Sequence, residues 1–255
     1  MSRTTSPTHP DSWTASPARY LRSWWYMIHL GALAIVTALS PSSWRRESFT
    51  ATARHLHTST WQVLPWFALA SSLVSLVIIR IVLVTAKSYG LSQFALEMVV
   101  RVLVLELIPL SAALFVALRA GMAFDASALG AQALRRLRRD LVPQLIANAV
   151  AVLSLAMVTS VIVLLLAYLN VYGVSPWGVQ DYTRTVGRVF APMVTIGFAI
   201  KTVLFGLAVA LIPSAAILEL QRYPRRLRST VQPGALRLLF VLIVIEAASL
   251  TLKYI

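Results

Sequence analysis

The chain has 255 residues, of which 58% are hydrophobic and only 13% charged, and its mean hydropathy of +0.75 excludes an ordinary soluble domain and points to a polytopic membrane protein. The formal net charge of +14 does not indicate nucleic acid, because the basic residues stand in short blocks beside apolar runs, as positive-inside topology requires, and not along a polar face. Cysteine is absent, which removes disulfides, thiolate chemistry and soft-metal sites and leaves the redox compartment open.

Residues 1–18, rich in Ser, Thr and Pro and without apolar periodicity, read as a disordered lead-in. Residues 19–60 form a second unit. From Arg19 to Leu39 a basic start leads into a short apolar run that is marginal for a hydrocarbon core of about 30 Å. A signal peptide is one reading, and the Trp24-Trp25-Tyr26 cluster favours the other, a helix lying at the headgroup level. Ser42 to Thr60, with Arg45, Arg46 and Arg54, is a polar connector; His55 and His57 are two apart, so a helix splays them and a metal site is not expected.

Residues 61–255 read as an all-α membrane domain of five spans. The first runs from Trp61 to Ala86, with Pro65 in its first turn and Arg80 toward its far end, and Lys87 to Gln93 makes a short turn. The second, Phe94 to Arg119, carries Glu97, Arg101 and Glu106 as well as Pro109. Ionisable groups at membrane depth cost about 3 kcal/mol each on insertion scales, so they face protein or water. Pro109 cannot donate to the carbonyl of Leu105, which predicts a bend beside Glu106 and places a freed carbonyl next to a carboxylate. At about 100° per residue Glu97 and Arg101 share a face while Glu106 points away from them. Glu106 therefore faces a cavity, or the charges form an Arg–Glu lock between helices with one protonated glutamate. Arg80 either pairs with Glu97 or Arg101 or snorkels to the interface.

Gly121 to Leu141 holds Arg135-Arg136-Leu137-Arg138-Arg139, the densest basic block, which marks the cytoplasmic side. Pro143, expected in the first turn of a helix, opens a third span that reaches about Tyr168. A polar loop follows from Asn170 to Arg188. The fourth span, Phe190 to Leu220, is interrupted by Pro192 and Pro213 and carries Lys201 at depth; after a second basic block at 222–228 the fifth, Pro233 to Leu252, carries Glu246. Lys201 and Glu246 neutralise each other, or Lys201 faces a substrate. The distribution of basic residues puts the N-terminus in the cytoplasm and the C-terminus on the other side.

Enzyme chemistry has little to stand on: there is no Gly-x-Ser-x-Gly, no His-Glu-x-x-His and no glycine loop before Lys201-Thr202 to cradle nucleotide phosphates. No cofactor or metal is expected, and any work against a gradient requires a separate ATPase.

Glu106-Leu107-Ile108-Pro109, followed by Ser-Ala-Ala-Leu-Phe-Val-Ala-Leu-Arg-Ala-Gly, resembles the Glu-Leu-Gly-Pro…Ala-Gly-Arg-x-Gly stretch of MlaE/YrbE-type permeases, the membrane subunits of MCE lipid-transport ABC systems. Ala199-Ile200-Lys201-Thr202-Val203-Leu204-Phe205-Gly206-Leu207 is similar to that family's Ile-Lys-Ser-x-x-Phe-Gly run. The resemblance covers roughly residues 20–255. It implies a dimeric permease in a bacterial inner membrane, formed with a second copy or a paralogue. An ABC ATPase is implied on its basic side, an MCE-domain protein in the periplasm, a STAS-domain subunit as a further partner, and phospholipid as cargo. Glu106 and Lys201 match the family's second-span glutamate and fourth-span lysine, so Glu97, Arg101, Glu106, Pro109 and Lys201 fall near the implied pathway. Arg119 and Gly121 match its Arg-x-Gly element. Ser127, Gly130, Gln132, Arg135, Arg136, Arg138 and Arg139 fall where the family meets its ATPase.

The sequence departs from that pattern at Ala126-Ser127-Ala128-Leu129-Gly130, which lacks the family's glutamate, and in the shortened segment that follows. A non-transporting scaffold subunit is therefore a second reading. An ion channel or proton-linked carrier built on Glu97, Arg101, Glu106, Lys201 and Glu246 is a third.

Overall fold

A computed structural model describes Trp25 and residues 63–122, 131–222 and 233–254. The lead-in and nearly all of the 19–60 unit lie outside these residues; Trp25 is helical and exposed. In hydrocarbon each backbone N–H and C=O needs a partner from its own segment, so long apolar runs become helices. Among the described residues five are long and apolar enough to cross a membrane: Leu64–Ser88, Phe94–Arg119, Ile146–Tyr172, Pro192–Ala216 and Gly234–Leu252.

Helix α1 (Leu64–Ser88) carries its proline in the first turn, where no backbone N–H is needed. It ends in a turn through Gly90, whose φ of +71° suits glycine. The second crossing is made of α2 (Ser92–Met98), a π-helical stretch (Val99–Leu107) and α3 (Ile108–Met122). Wide π turns precede Pro109 and end with the N–H of Ile108 donating to Leu103 five residues back.

Helix α4 (Ala131–Tyr172) is 42 residues long and corrects two expectations. Pro143 lies inside it and not in a first turn, because the strong helix formers of 131–142 carry the helix beyond the membrane segment. The expected polar loop is also largely helical. After Gly173, at φ +69°, a 3-10 turn (Pro176–Gly178) leads into α5 (Val179–Val189), which sets Tyr182, Val186 and Val189 against the bundle and leaves Asp181, Arg184 and Arg188 exposed. Pro192 opens α6 (Pro192–Arg222), and Pro213 lies within it. Helix α7 (Pro233–Tyr254) completes the bundle.

Helix α6 packs along α4, α3 and α7, and α4 also covers α1. The second and fourth crossings are the most enclosed, with 56% and 50% of their apolar windows buried, against 22% for the first and 11% for the last. The charges near their centres, Glu106 and Lys201, are directed into protein. At Gly206 a Cβ would stand 2.9 Å from the carbonyl oxygen of Ala149, so α6 and α4 touch backbone to backbone there. The core falls into two apolar clusters, one around Phe67, Val116, Leu155, Phe205 and Leu242, the other around Ile79, Val100, Leu103, Val163 and Phe198 beneath α5.

Candidate functional site

The polar centre of the molecule lies where those two clusters meet. Glu106 falls between Leu105 of one and Ala112 of the other, and Lys201 between Phe198 and Phe205. Both are near the middle of their crossings, and Glu246 is just past the middle of the last. Three helices that are distant in sequence thus deliver three ionisable groups to one level of the membrane.

Lys201 is the hub. Its side chain is 2% exposed, against 13% for Glu106 and 16% for Glu246. Its Nζ donates to the Glu106 carboxylate, stands 2.9 Å from both oxygens of Glu246, and donates to the carbonyl of Leu105 at 3.3 Å. The same ammonium lies 5.7 Å from the centroid of the Phe205 ring, one turn along α6, within cation–π range. An ammonium has three N–H donors, so this one is fully occupied by acceptors of two carboxyls and a main chain. Glu106 therefore faces Lys201. The π stretch and Pro109 explain how: widened turns and a proline without an N–H leave main-chain acceptor capacity beside Glu106, and the long lysine reaches both.

Glu97 and Arg101 form a separate pair, with Nη2 2.8 Å and Nε 2.9 Å from Glu97 Oε1. Each side chain is a quarter to a third exposed, so this is a ladder on one helix face near the end of the crossing and is not joined to Lys201. Arg80 is exposed on α1. Pro109 is buried. Arg119 is half-buried at the far end of the second crossing. Gly121, Gln132, Arg135, Arg136, Arg138 and Arg139 lie in helical backbone, and Ser127 and Gly130 lie outside the described residues.

Three features had no counterpart in the sequence reading. The first is the direct Glu106–Lys201 contact, for which the signal was two uncompensated charges at the centres of two spans. The second is a tyrosine cluster that ties α5 to the end of α4. Tyr182 stands edge-on to Tyr168 at 5.2 Å and donates to the carbonyl of Leu164 at 2.7 Å, while Tyr168 donates to Ser175. Burial pushes the Tyr182 phenol up to about 12. The third is a pair of hydroxyls, Thr159 and Ser160, buried in the middle of the third crossing without a hydrogen-bond partner among the described residues.

A bundle of five apolar crossings with an ionic cluster buried at mid-membrane defines a multi-pass membrane protein. The family model for Permease MlaE matches residues 52–252. The chain belongs to that family, and so to the non-catalytic permease subunits of the inner membrane. No curated protein and no solved structure matches it.

Proposed function

We propose that the chain is the membrane subunit of an MCE-type ABC system that moves phospholipid or a similar lipid between the inner membrane and the periplasm, with ATP hydrolysed by a separate subunit. The observation that carries this reading is the Lys201–Glu106–Glu246 cluster in a chain of the MlaE permease family. The lysine is sealed while the outer edges of both carboxyls stay partly open, at the level where a headgroup changing leaflets meets its highest desolvation cost. Two copies, or one copy and a paralogue, enclose a lipid-filled seam lined near Glu106 and Lys201. The basic end, with Arg119 and the 135–139 block, faces the ATPase in the cytoplasm, as does the N-terminus. The α5 end faces the periplasm and its MCE-domain protein.

Gentle extraction of tagged protein tests the reading. The ATPase and the MCE protein are expected to co-purify, with lipid identified by mass spectrometry between two permease protomers. A monomeric, lipid-free and partnerless protein overturns it. The missing glutamate in residues 126–130 favours a second reading, a scaffold that has lost coupling. Grafting a family-type docking loop over 127–139 separates the two: an unchanged ATPase rate in the assembled complex supports the scaffold.

A further inference from the structure

Two hydroxyls depart from a pattern that others in the molecule follow. Ser72, Thr183, Thr195, Thr202, Ser214 and Thr251 each donate to the carbonyl four residues back on their own helix, at 2.5–3.2 Å, the usual local partner of a hydroxyl in a helix. Thr159 and Ser160, in the middle of α4, do not. Both oxygens lack a hydrogen bond among the described residues, although the residues are only 0% and 7% exposed. A buried hydroxyl left unpaired is destabilising, and protein interiors supply such groups with a partner, often an ordered water. The other buried oxygen of this kind, Oε2 of Glu246, at least has the Lys201 ammonium 2.9 Å away.

A third hydroxyl stands across the seam from them. Helices α1 and α4 pack together, and because successive crossings alternate in direction they run parallel. Ser75 lies eight residues after Phe67 and four before Ile79, just as Thr159 lies eight after Ala151 and four before Val163. Phe67 and Ala151 belong to one apolar cluster, Ile79 and Val163 to the other. Ser75, itself 2% exposed, therefore sits at the height of Thr159. Short polar side chains form a layer there, in a seam that bulky apolar ones fill on either side.

We infer that Thr159 and Ser160 bind a water molecule in the seam between α4 and α1, with Ser75 as the ligand from the facing helix. A buried water makes about three hydrogen bonds, and this layer offers three hydroxyls. Water fits the chemistry because it both donates and accepts and carries no charge for the apolar walls to desolvate. The contact between the first and third crossings is then polar at its centre and apolar above and below. The site rests on these side chains alone and stands whether or not the chain moves lipid.

A crystal structure of the full-length protein in a lipidic mesophase, at a resolution that shows ordered solvent, tests the site. A solvent peak is expected within about 3.2 Å of both Thr159 Oγ1 and Ser160 Oγ. Hydroxyls bonded instead to the carbonyls of Leu155 and Ala156, or no peak beside them, overturn the inference. Thermal unfolding in lipid nanodiscs gives an independent reading by its sign. Thr159→Val removes a water ligand while keeping the side chain's shape, so the midpoint should fall by about 2–4 °C. Ser75→Ala should then cost less in the Thr159→Val background than in the wild type, because the two share a ligand. Thr195→Val, at an exposed hydroxyl, should leave the midpoint unchanged. A rise in the midpoint on Thr159→Val, the response of a hydroxyl that has no partner, or full additivity with Ser75→Ala, also overturns the inference. If Thr159→Val fails to fold, the solvent peak in the wild type decides.

Discussion

The ammonium of Lys201 donates to the carbonyl oxygen of Leu105 at 3.3 Å, the main-chain acceptor four residues before Pro109. A proline has no N–H for that carbonyl, and the lysine supplies the donor from another helix. The residue that neutralises Glu106 thus also repairs the helix Pro109 disrupts, which makes Lys201 a structural keystone for the second, fourth and fifth crossings together.

Replacing Lys201 by Met therefore strips one donor from three acceptors at once. Breaking a buried ionic group by removing one partner costs about 3–5 kcal/mol. Lys201→Met is expected to lower the thermal unfolding midpoint well below that of Glu246→Gln, which keeps a polar side chain of the same shape. Unfolding in mild detergent, followed by tryptophan fluorescence, measures the difference.

The Glu97–Arg101 pair should behave differently despite lying on the same crossing. Its side chains are partly exposed and four residues apart, so a double-mutant cycle with Glu97→Gln and Arg101→Gln is expected to return a coupling of about 0.5 kcal/mol. A coupling as large as that of the buried cluster would mean the pair is far less accessible than its geometry indicates.

Gly206 gives a packing test with an internal control. A Cβ there meets the Ala149 carbonyl at 2.9 Å, whereas at Gly197 on the same helix nothing among the described residues lies within 4 Å. Gly206→Leu should part α4 from α6 and cost about 1–3 kcal/mol. Gly197→Ala should be neutral or stabilising, by up to about 1 kcal/mol from helix propensity. The same unfolding assay reads both.

Tyr182 predicts an alkaline limit. Its phenol, near 10.0 in an unfolded chain, is pushed up to about 12 by burial, so the folded state holds the proton more tightly. That contribution is complete below pH 10 and is lost as pH rises toward 12. Tyr182→Phe should remove this part of the alkaline decline, at a cost of about 1 kcal/mol for the lost bond to Leu164. Stability measured from pH 8 to 11 compares the two chains.

Much of this architecture was legible because hydrocarbon leaves a sequence few choices. Apolar length alone placed all five crossings to within a few residues, and the proline at 109 pointed to a freed carbonyl beside a carboxylate. What escaped was phase and partnership. A uniform helical angle cannot foresee nine residues of π-helix from Val99 to Leu107, and that change of winding accompanies the turn of Glu106 to Lys201. The proline at 143 misled because a strong helix-forming stretch overrode it, and α5 was hidden in a polar segment whose apolar face is only Tyr182, Val186 and Val189.

The central claim, that the Lys201 cluster lies on a lipid pathway, is tested most directly by reconstituting the permease with the proposed ATPase and MCE partners in liposomes and following ATP-dependent transfer of labelled phospholipid. Wild type should transfer lipid, and Lys201→Met, in complexes that still assemble and hydrolyse ATP, should lose that transfer by at least about tenfold, equivalent to about 1.4 kcal/mol on the barrier. Undiminished transfer by the assembled Lys201→Met complex would contradict the account.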